Sequence, residues 1–99
     1  MVTITLGVMT TTAQQIDGRP VREYVGLVSS ESLALVRHSR HRGADGESEL
    51  QHGQRHVVEH LARCASARGA TAVIGIVINY VAMGPGRVLV SATGTAVSL

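Results

Sequence analysis

The chain has 99 residues, a formal net charge of +2 with histidine neutral, and 44% hydrophobic residues. This length predicts one domain over residues 1–99, and a domain of this size buries only about 60–65% of its unfolded surface, so it gains stability from assembly. The high hydrophobic content and a charged content of 16% argue against a disordered chain, and an aromatic content of 2% predicts a core of Val, Ile, Leu and Ala.

The composition also bears on location and partners. No apolar stretch approaches the roughly 20 residues of a bilayer helix, and the N-terminus lacks the pattern of a secretory signal. The single cysteine, Cys64, cannot form an internal disulfide and suits a reducing compartment. We therefore expect a cytoplasmic protein that has no membrane contact, and a charge of +2 does not favour a nucleic-acid partner.

The first third of the chain predicts extended structure. Residues 2–12 are rich in β-branched residues, with residues 1–7 either an extra strand or a frayed end. Asp17–Pro20 predicts a turn. Val21–Val28 alternates as a strand with apolar residues on both faces, and the serines at the start of residues 29–36 predict the cap of a short helical turn.

The remainder predicts one helix and a hairpin. Arg37–Gly46 is basic and contains glycine, which indicates a loop. Glu47–Arg68 has apolar residues on one face and acidic residues at its start, although Gly53 costs about 1 kcal/mol relative to alanine. Ala70–Ala82 and Arg87–Val97 predict two strands joined by a Gly-Pro-Gly turn. The order β-β-α-β-β predicts an α+β fold in which one long helix packs on a mainly antiparallel sheet.

Strand periodicity predicts which side chains share a face. Strict alternation places five residues of the penultimate strand together, namely Ala72, Ile74, Ile76, Ile78 and Tyr80. In the last strand, a row of small residues suits close approach by a helix or another subunit, and it comprises Ala92, Gly94 and Ala96. A four-stranded sheet with one helix leaves an apolar face uncovered, so we expect copies of the chain to associate.

Four possible metal ligands recur at intervals of four along the predicted helix: His52, His56, His60 and Cys64. Each step of four advances about 40° around the axis, so no single ion can take all four. His56 and His60 form an i,i+4 pair suited to Zn²⁺, Ni²⁺ or Cu²⁺, with Cys64 as a third donor. The alternative is that the histidines are solvated positions and Cys64 is a small buried hydrophobe.

Two further patterns are weaker. His56–His60 matches the inverted zinc-protease motif H-x-x-E-H, in which Glu59 would act as general base, but this short chain has little room for a third ligand and a substrate cleft. Glu59 also suits an ion pair with Arg63.

His38 and His41 stand in a basic cluster that could hold phosphate, yet no aromatic residues interleave for base stacking. We therefore predict a protein that is not an enzyme.

Several blocks of sequence together resemble a known family: Met9–Thr12 before Asp17 and Gly18, Arg22–Glu31, Ala67–Tyr80 and Val90–Val97. They resemble the YbjQ-like proteins, small bacterial proteins assigned to heavy-metal binding, over most of residues 8–98. The resemblance implies a dodecin-like fold unit and a ring-shaped homo-oligomer, commonly a pentamer. It implies no established reaction.

The chain departs from this family in two places. Val77 and Asn79 stand where relatives often carry acidic residues, so an acidic metal site is not expected. The middle segment, Arg37–Gly46, is shorter than the corresponding segment of relatives. The histidines of the helix do not fall on motif positions of the family. We expect a non-enzymatic homo-oligomeric ring that binds a divalent transition metal or another small ligand, with His56, His60 and Cys64 as the metal ligands. The alternative is a structural ring with incidental histidines.

Overall fold

The computed structural model describes residues 2–35 and 49–99, which form one helix and five strands in those ranges. The elements are β1 Thr3–Thr5, β2 Val8–Thr10, β3 Glu23–Leu35, α1 Glu49–Ala67, β4 Ala72–Gly84 and β5 Arg87–Ser98. The sheet order is β1-β2-β4-β5-β3, and β2 and β4 are parallel whereas the other neighbours are antiparallel. The predicted α+β class is confirmed, but the described order is β-β-β-α-β-β. The predicted loop Arg37–Gly46 lies outside the described residues.

The additional strand arises because the predicted extended segment 2–12 is a hairpin. Leu6 and Gly7 form its two-residue loop with φ angles of 51° and 79°. Two successive positive φ angles are typical of the type I′ turn that suits tight hairpins. Leucine rarely adopts this conformation, so the sequence carries little turn signal at this point.

Strand β3 is longer than predicted and replaces the expected helical turn over residues 29–36. It pairs with β5 continuously from Gly26 to Leu35, after a register shift that follows Tyr24. The paired backbone satisfies the donors and acceptors that a local serine cap would otherwise bind, so tertiary pairing outweighs the local preference. Ser30 consequently faces α1 from within the sheet, and it is 6% exposed.

A β-bulge in β4 changes the predicted distribution of side chains. The register shifts between Ile74 and Val77, and Gly75 has a φ of 60°. Ala72 and Ile74 therefore pack on the side of the sheet away from α1, whereas Ile76 packs in the core under α1. The prediction that alternate residues from 72 to 80 share one face was wrong, because one inserted residue reverses the alternation.

Helix α1 packs on β3 and β5 and closes the main core. Gly53, the weak point of the predicted helix, is buried, and an added β-carbon there would lie 3.2 Å from Val90 Cγ2. As predicted, small residues of β5 such as Ala92 lie beneath the helix. The main core contains thirteen buried residues: Val8, Val28, Ala34, Val57, Leu61, Ala62, Ala65, Ala70, Val73, Ile76, Val90, Ala92 and Ala96.

The opposite surface of the sheet, which we call the open face, is only partly covered. A small cluster of Ala72, Ile74 and Val97 is shielded by nearby side chains such as Ile16. Toward the β4–β5 turn, the open face exposes large apolar side chains, including Leu33 at 54% and Val81 at 48%. No helix in the described ranges is both long and apolar enough to span a membrane.

Candidate metal site

His60 lies between Ser30 of β3 and Cys64 of the same helix. Its Nδ1 atom is 2.8 Å from Ser30 Oγ, and its Nε2 atom is 3.8 Å from Cys64 Sγ. Ser30 is buried, Cys64 is partly buried and His60 is exposed. Two consecutive contacts therefore link Ser30 in the sheet to His60 and then to Cys64 on the helix.

The fold fixes this arrangement through the helix. His60 and Cys64 are four residues apart and so lie one turn apart on the same side of α1. Just past the end of the helix, the Arg68 guanidinium donates hydrogen bonds to the carbonyl oxygens of Leu27 and Val25 at 2.9 and 3.2 Å. These bonds hold the C-terminal part of α1 over β3, the strand that carries Ser30.

The hydrogen bond at Nδ1 decides what Nε2 can do. When Nδ1–H donates to Ser30 Oγ, Nε2 carries the lone pair of the ring and accepts a hydrogen bond from the Cys64 thiol, so both donor atoms point at the same place. Metal-bound histidines commonly donate their second ring N–H to an oxygen, which fixes the tautomer and the ring orientation. Ser30 is therefore placed to orient the His60 imidazole, a role that sequence reasoning missed because it assigned Ser30 to a helix cap.

The separation between His60 and Cys64 fits a shared ion. A tetrahedral Zn²⁺ with Zn–N of about 2.05 Å and Zn–S of about 2.3 Å holds the two donor atoms about 3.6 Å apart. The observed distance from Nε2 to Sγ is 3.8 Å. A small side-chain adjustment would thus allow both donors to bind the same ion.

The described residues supply two ligands at this point. Within residues 2–35 and 49–99, no three His, Cys, Asp or Glu side chains cluster closely enough to hold one ion. His56 is exposed one turn before His60, and the structure does not add it to the His60–Cys64 pair as a third member. His52 lies elsewhere, with Nδ1 3.1 Å from Arg55 Nη2. The basic cluster around His38 falls outside the described ranges.

A separate cleft of about 1020 Å³ lies between the β1–β2 hairpin and α1. On the hairpin side, Thr10 Oγ1 donates to the Thr3 carbonyl and lies 3.2 Å from Thr5 Oγ1. On the helix side, Gln54 accepts a hydrogen bond from the Tyr80 hydroxyl at 2.9 Å. Polar and apolar side chains line the cleft together, and Glu59 is one of them. Glu59 therefore faces the cleft and not the His60–Cys64 pair.

Comparison with known proteins identifies relatives along most of the chain. A family model described as "Putative heavy-metal-binding" matches residues 8–99. The UPF0145 protein of Anoxybacillus flavithermus is 32% identical over 100 residues, which cover 90% of this chain and 95% of that protein. The UPF0145 protein of Pseudomonas putida is 36% identical over 101 residues, with coverages of 89% and 95%.

A solved structure shares the fold. It is the crystal structure of a protein of unknown function from the DUF74 family of Pediococcus pentosaceus. The two structures superpose with a TM-score of 0.68 at 18% identity, and the match covers 94% of this chain and 98% of the other. Since the family model spans residues 8–99 and these relatives match about nine-tenths of the chain, the chain belongs to the YbjQ-like family.

Proposed function

We propose that this chain is a homo-oligomeric binding protein that holds a transition-metal ion such as Zn²⁺, Ni²⁺ or Cu²⁺ through His60 and Cys64. The observation that carries the proposal is the 3.8 Å separation of Nε2 and Sγ, with the imidazole held at Nδ1 by Ser30. An imidazole and a thiolate together suit zinc and other borderline or soft metals. The description of the matching family model supports the same class of ligand.

The role that we propose for the site is binding and not catalysis. In the H-x-x-E-H motif of a protease, the glutamate must act beside the metal. Here Glu59 lines the cleft next to the hairpin, whereas His60 and Cys64 approach β3 on another side of the helix. Glu59 is therefore not placed beside the pair as the protease motif requires, which supports binding over catalysis.

The open face supports assembly. Leu33 pairs with Leu89, which pairs with Val81, so three apolar side chains lie in one row across three strands. Leu33 and Val81 are about half exposed. An apolar patch of this kind on a small domain is typical of an interaction surface. We propose that copies of the chain form a ring, pentameric as the family resemblance implies, that buries this row.

One observation favours a second candidate function, a structural ring with incidental histidines. The described residues offer only a two-ligand pair, and surface metal sites built from two side chains bind weakly unless further ligands join. Under this alternative, the ring forms without metal and the exposed face of α1 is simply solvated.

Metal binding separates the two candidates. Metal-free protein would be titrated with Zn²⁺ and with Ni²⁺ by calorimetry, beside the variants His60→Gln and Cys64→Ser. His56→Gln is the matched control because His56 is exposed on the same helix one turn away. We expect both ligand variants to lose binding and the control to retain it. Equal binding by all four proteins would remove His60 and Cys64 as ligands.

Light scattering tests assembly. The substitution Leu33→Asp places a charge in the exposed apolar row and should lower the mass of the assembly. Ser66→Asp adds the same charge at an exposed position of α1 and should leave the mass unchanged. A wild-type chain that remains a folded monomer at micromolar concentration would contradict the ring.

A further inference from the structure

We infer that one metal ion is shared by two copies of this chain, each of which contributes His60 and Cys64. This inference rests on the proposed function, because it concerns the same two ligands. It adds the partner that completes the site and the ratio of metal to protein.

The first argument is the ligand count. Structural zinc sites are almost always tetrahedral with four protein ligands from Cys and His. One chain supplies a His60–Cys64 pair, and no third His, Cys, Asp or Glu of the described ranges joins it. Two such pairs supply two thiolates and two imidazoles, which is one of the common structural zinc sets.

The second argument is position. Within the sheet that the described residues form, β3 lies at one edge with β5 as its neighbour, and Ser30 belongs to β3. The 2.8 Å contact with Ser30 places the His60 imidazole above this edge strand, and His60 is an exposed residue. The metal ligands are therefore at the rim of the subunit, where the same rim of another copy can approach.

The third argument is that β3 offers a suitable contact. Paired antiparallel strands hold opposite Cα atoms about 4.5–5.5 Å apart, so two β3 strands related by a two-fold axis near Ser30 would bring both His60–Cys64 pairs over one junction. In that register, Glu31 stands opposite Ser29 of the other copy and not opposite a second Glu31. Like charges directly opposite each other are thereby avoided.

The neighbouring Arg68 limits how far the strands can pair. It engages the Val25 and Leu27 carbonyls at the start of β3. A pairing centred on Ser30 that extends from Val28 to Ser32 leaves these bonds in place. The contact between copies would be short, so the shared metal would contribute much of its stability.

If two chains share each ion, both the ratio of metal to protein and the number of chains in the assembly are restricted. Saturated protein should contain one metal ion for every two chains. Because each ion joins a pair, the metal-loaded assembly should contain an even number of chains. If the metal-free ring has five chains, the loaded form should have ten.

The experiment is native mass spectrometry of the full chain, with and without Zn²⁺ under reducing conditions, together with zinc analysis of the separated protein. We expect one zinc per two chains and even-numbered assemblies for the wild type and for His56→Gln. His60→Gln and Cys64→Ser should remain folded by circular dichroism, because both side chains reach the surface, and should lose the zinc-dependent species.

The possible failures are distinguishable. One zinc per chain without a change in mass would overturn sharing, yet it would leave the proposed binding by His60 and Cys64 intact. No zinc bound by the wild type would overturn both proposals. A zinc-dependent pairing that persists in Cys64→Ser would also overturn the inference, since the ion would then use other ligands.

Discussion

The guanidinium of Arg68 occupies the space into which a side chain at Gly26 would project. A β-carbon on Gly26 would lie 2.6 Å from Arg68 Nη2, and the φ angle of Gly26 is 146°. The same guanidinium donates to the carbonyls of Val25 and Leu27 on either side of this glycine. One residue without a side chain therefore lets an arginine from beyond α1 clamp the edge strand at its bulge.

Gly26→Ala should destabilise the protein. The new methyl group must displace Arg68 from two charged hydrogen bonds. In addition, the alanine backbone must keep a positive φ, which is unfavourable for any residue with a β-carbon. An unfavourable backbone conformation costs about 1–3 kcal/mol, and charged hydrogen bonds contribute about 1.5–3 kcal/mol each when shielded and less at this exposed site. We expect a net loss of about 2 kcal/mol in the free energy of unfolding, measured in urea.

The partner substitution Arg68→Ala separates the two causes. In that background the steric conflict is absent, so Gly26→Ala should cost only the backbone strain. A double-mutant cycle should therefore show that the two substitutions are not additive. Strictly additive losses would mean that Arg68 does not sense the side chain at position 26.

Gly53→Ala tests a balance between helix propensity and packing. Alanine gains about 1 kcal/mol over glycine inside a helix, whereas overpacking in a core costs about 1–3 kcal/mol. The new β-carbon would lie 3.2 Å from Val90 Cγ2, and Val90 is fully buried with a stiff branched side chain. We expect a net loss of up to about 1 kcal/mol in urea unfolding, because packing exceeds propensity at this position.

The sign should reverse when Val90 is shortened. In a Val90→Ala background, the nearest remaining atoms lie at ordinary distances, namely the β-carbon of residue 90 at 3.7 Å and the Ala34 β-carbon at 3.8 Å. Gly53→Ala should then stabilise the protein by about 1 kcal/mol, the propensity difference alone. Stabilisation already in the wild-type background would show that α1 can move away from β5 at little cost.

The helix and the last hairpin could be predicted because their signals are local. α1 has a periodic apolar face, and the Gly-Pro-Gly turn between β4 and β5 ends two apolar runs. The β1–β2 hairpin could not be predicted, because its loop uses Leu6 at a positive φ that leucine seldom adopts. The continuation of β3 through Ser30 depends on pairing with β5, which no local pattern shows.

The candidate site was predictable only in part, for a similar reason. Spacing along α1 places His60 and Cys64 on one side of the helix, and the structure confirms that they approach each other. The same spacing gives no reason to prefer this pair over His56 and His60. That choice depends on Ser30, which reaches His60 from a strand 30 residues away in the sequence.

Gly75 tests the bulge that redirects β4. Its φ is 60°, and an added β-carbon would lie 3.2 Å from Gln14 Oε1. Asparagine adopts left-handed backbone conformations more readily than alanine. We expect Gly75→Ala to lose about 1–2 kcal/mol of unfolding free energy and Gly75→Asn to lose less, although its side chain is larger. A greater loss for Asn would indicate that the space near Gln14, and not the backbone conformation, determines which residues position 75 tolerates.

Ser30→Ala tests how the imidazole is oriented for metal binding. The substitution removes the oxygen 2.8 Å from His60 Nδ1 but leaves both metal ligands in place. Loss of such an orienting partner typically weakens metal affinity by about 10–100-fold. We expect Zn²⁺ affinity, measured by competition with a chelating dye, to fall about tenfold while the ratio of zinc to protein stays the same.

Ser32→Ala provides the control for Ser30→Ala, because Ser32 lies two residues further along the helix-facing row of β3 and has intermediate burial. It should change zinc affinity little, so any general effect of losing a serine from this strand appears in both variants. If the two variants bind zinc equally, Ser30 does not orient His60. If instead Ser30→Ala abolishes binding, Ser30 contributes more than orientation, since an exposed imidazole that has lost only its orienting partner can still turn toward Cys64 and bind weakly.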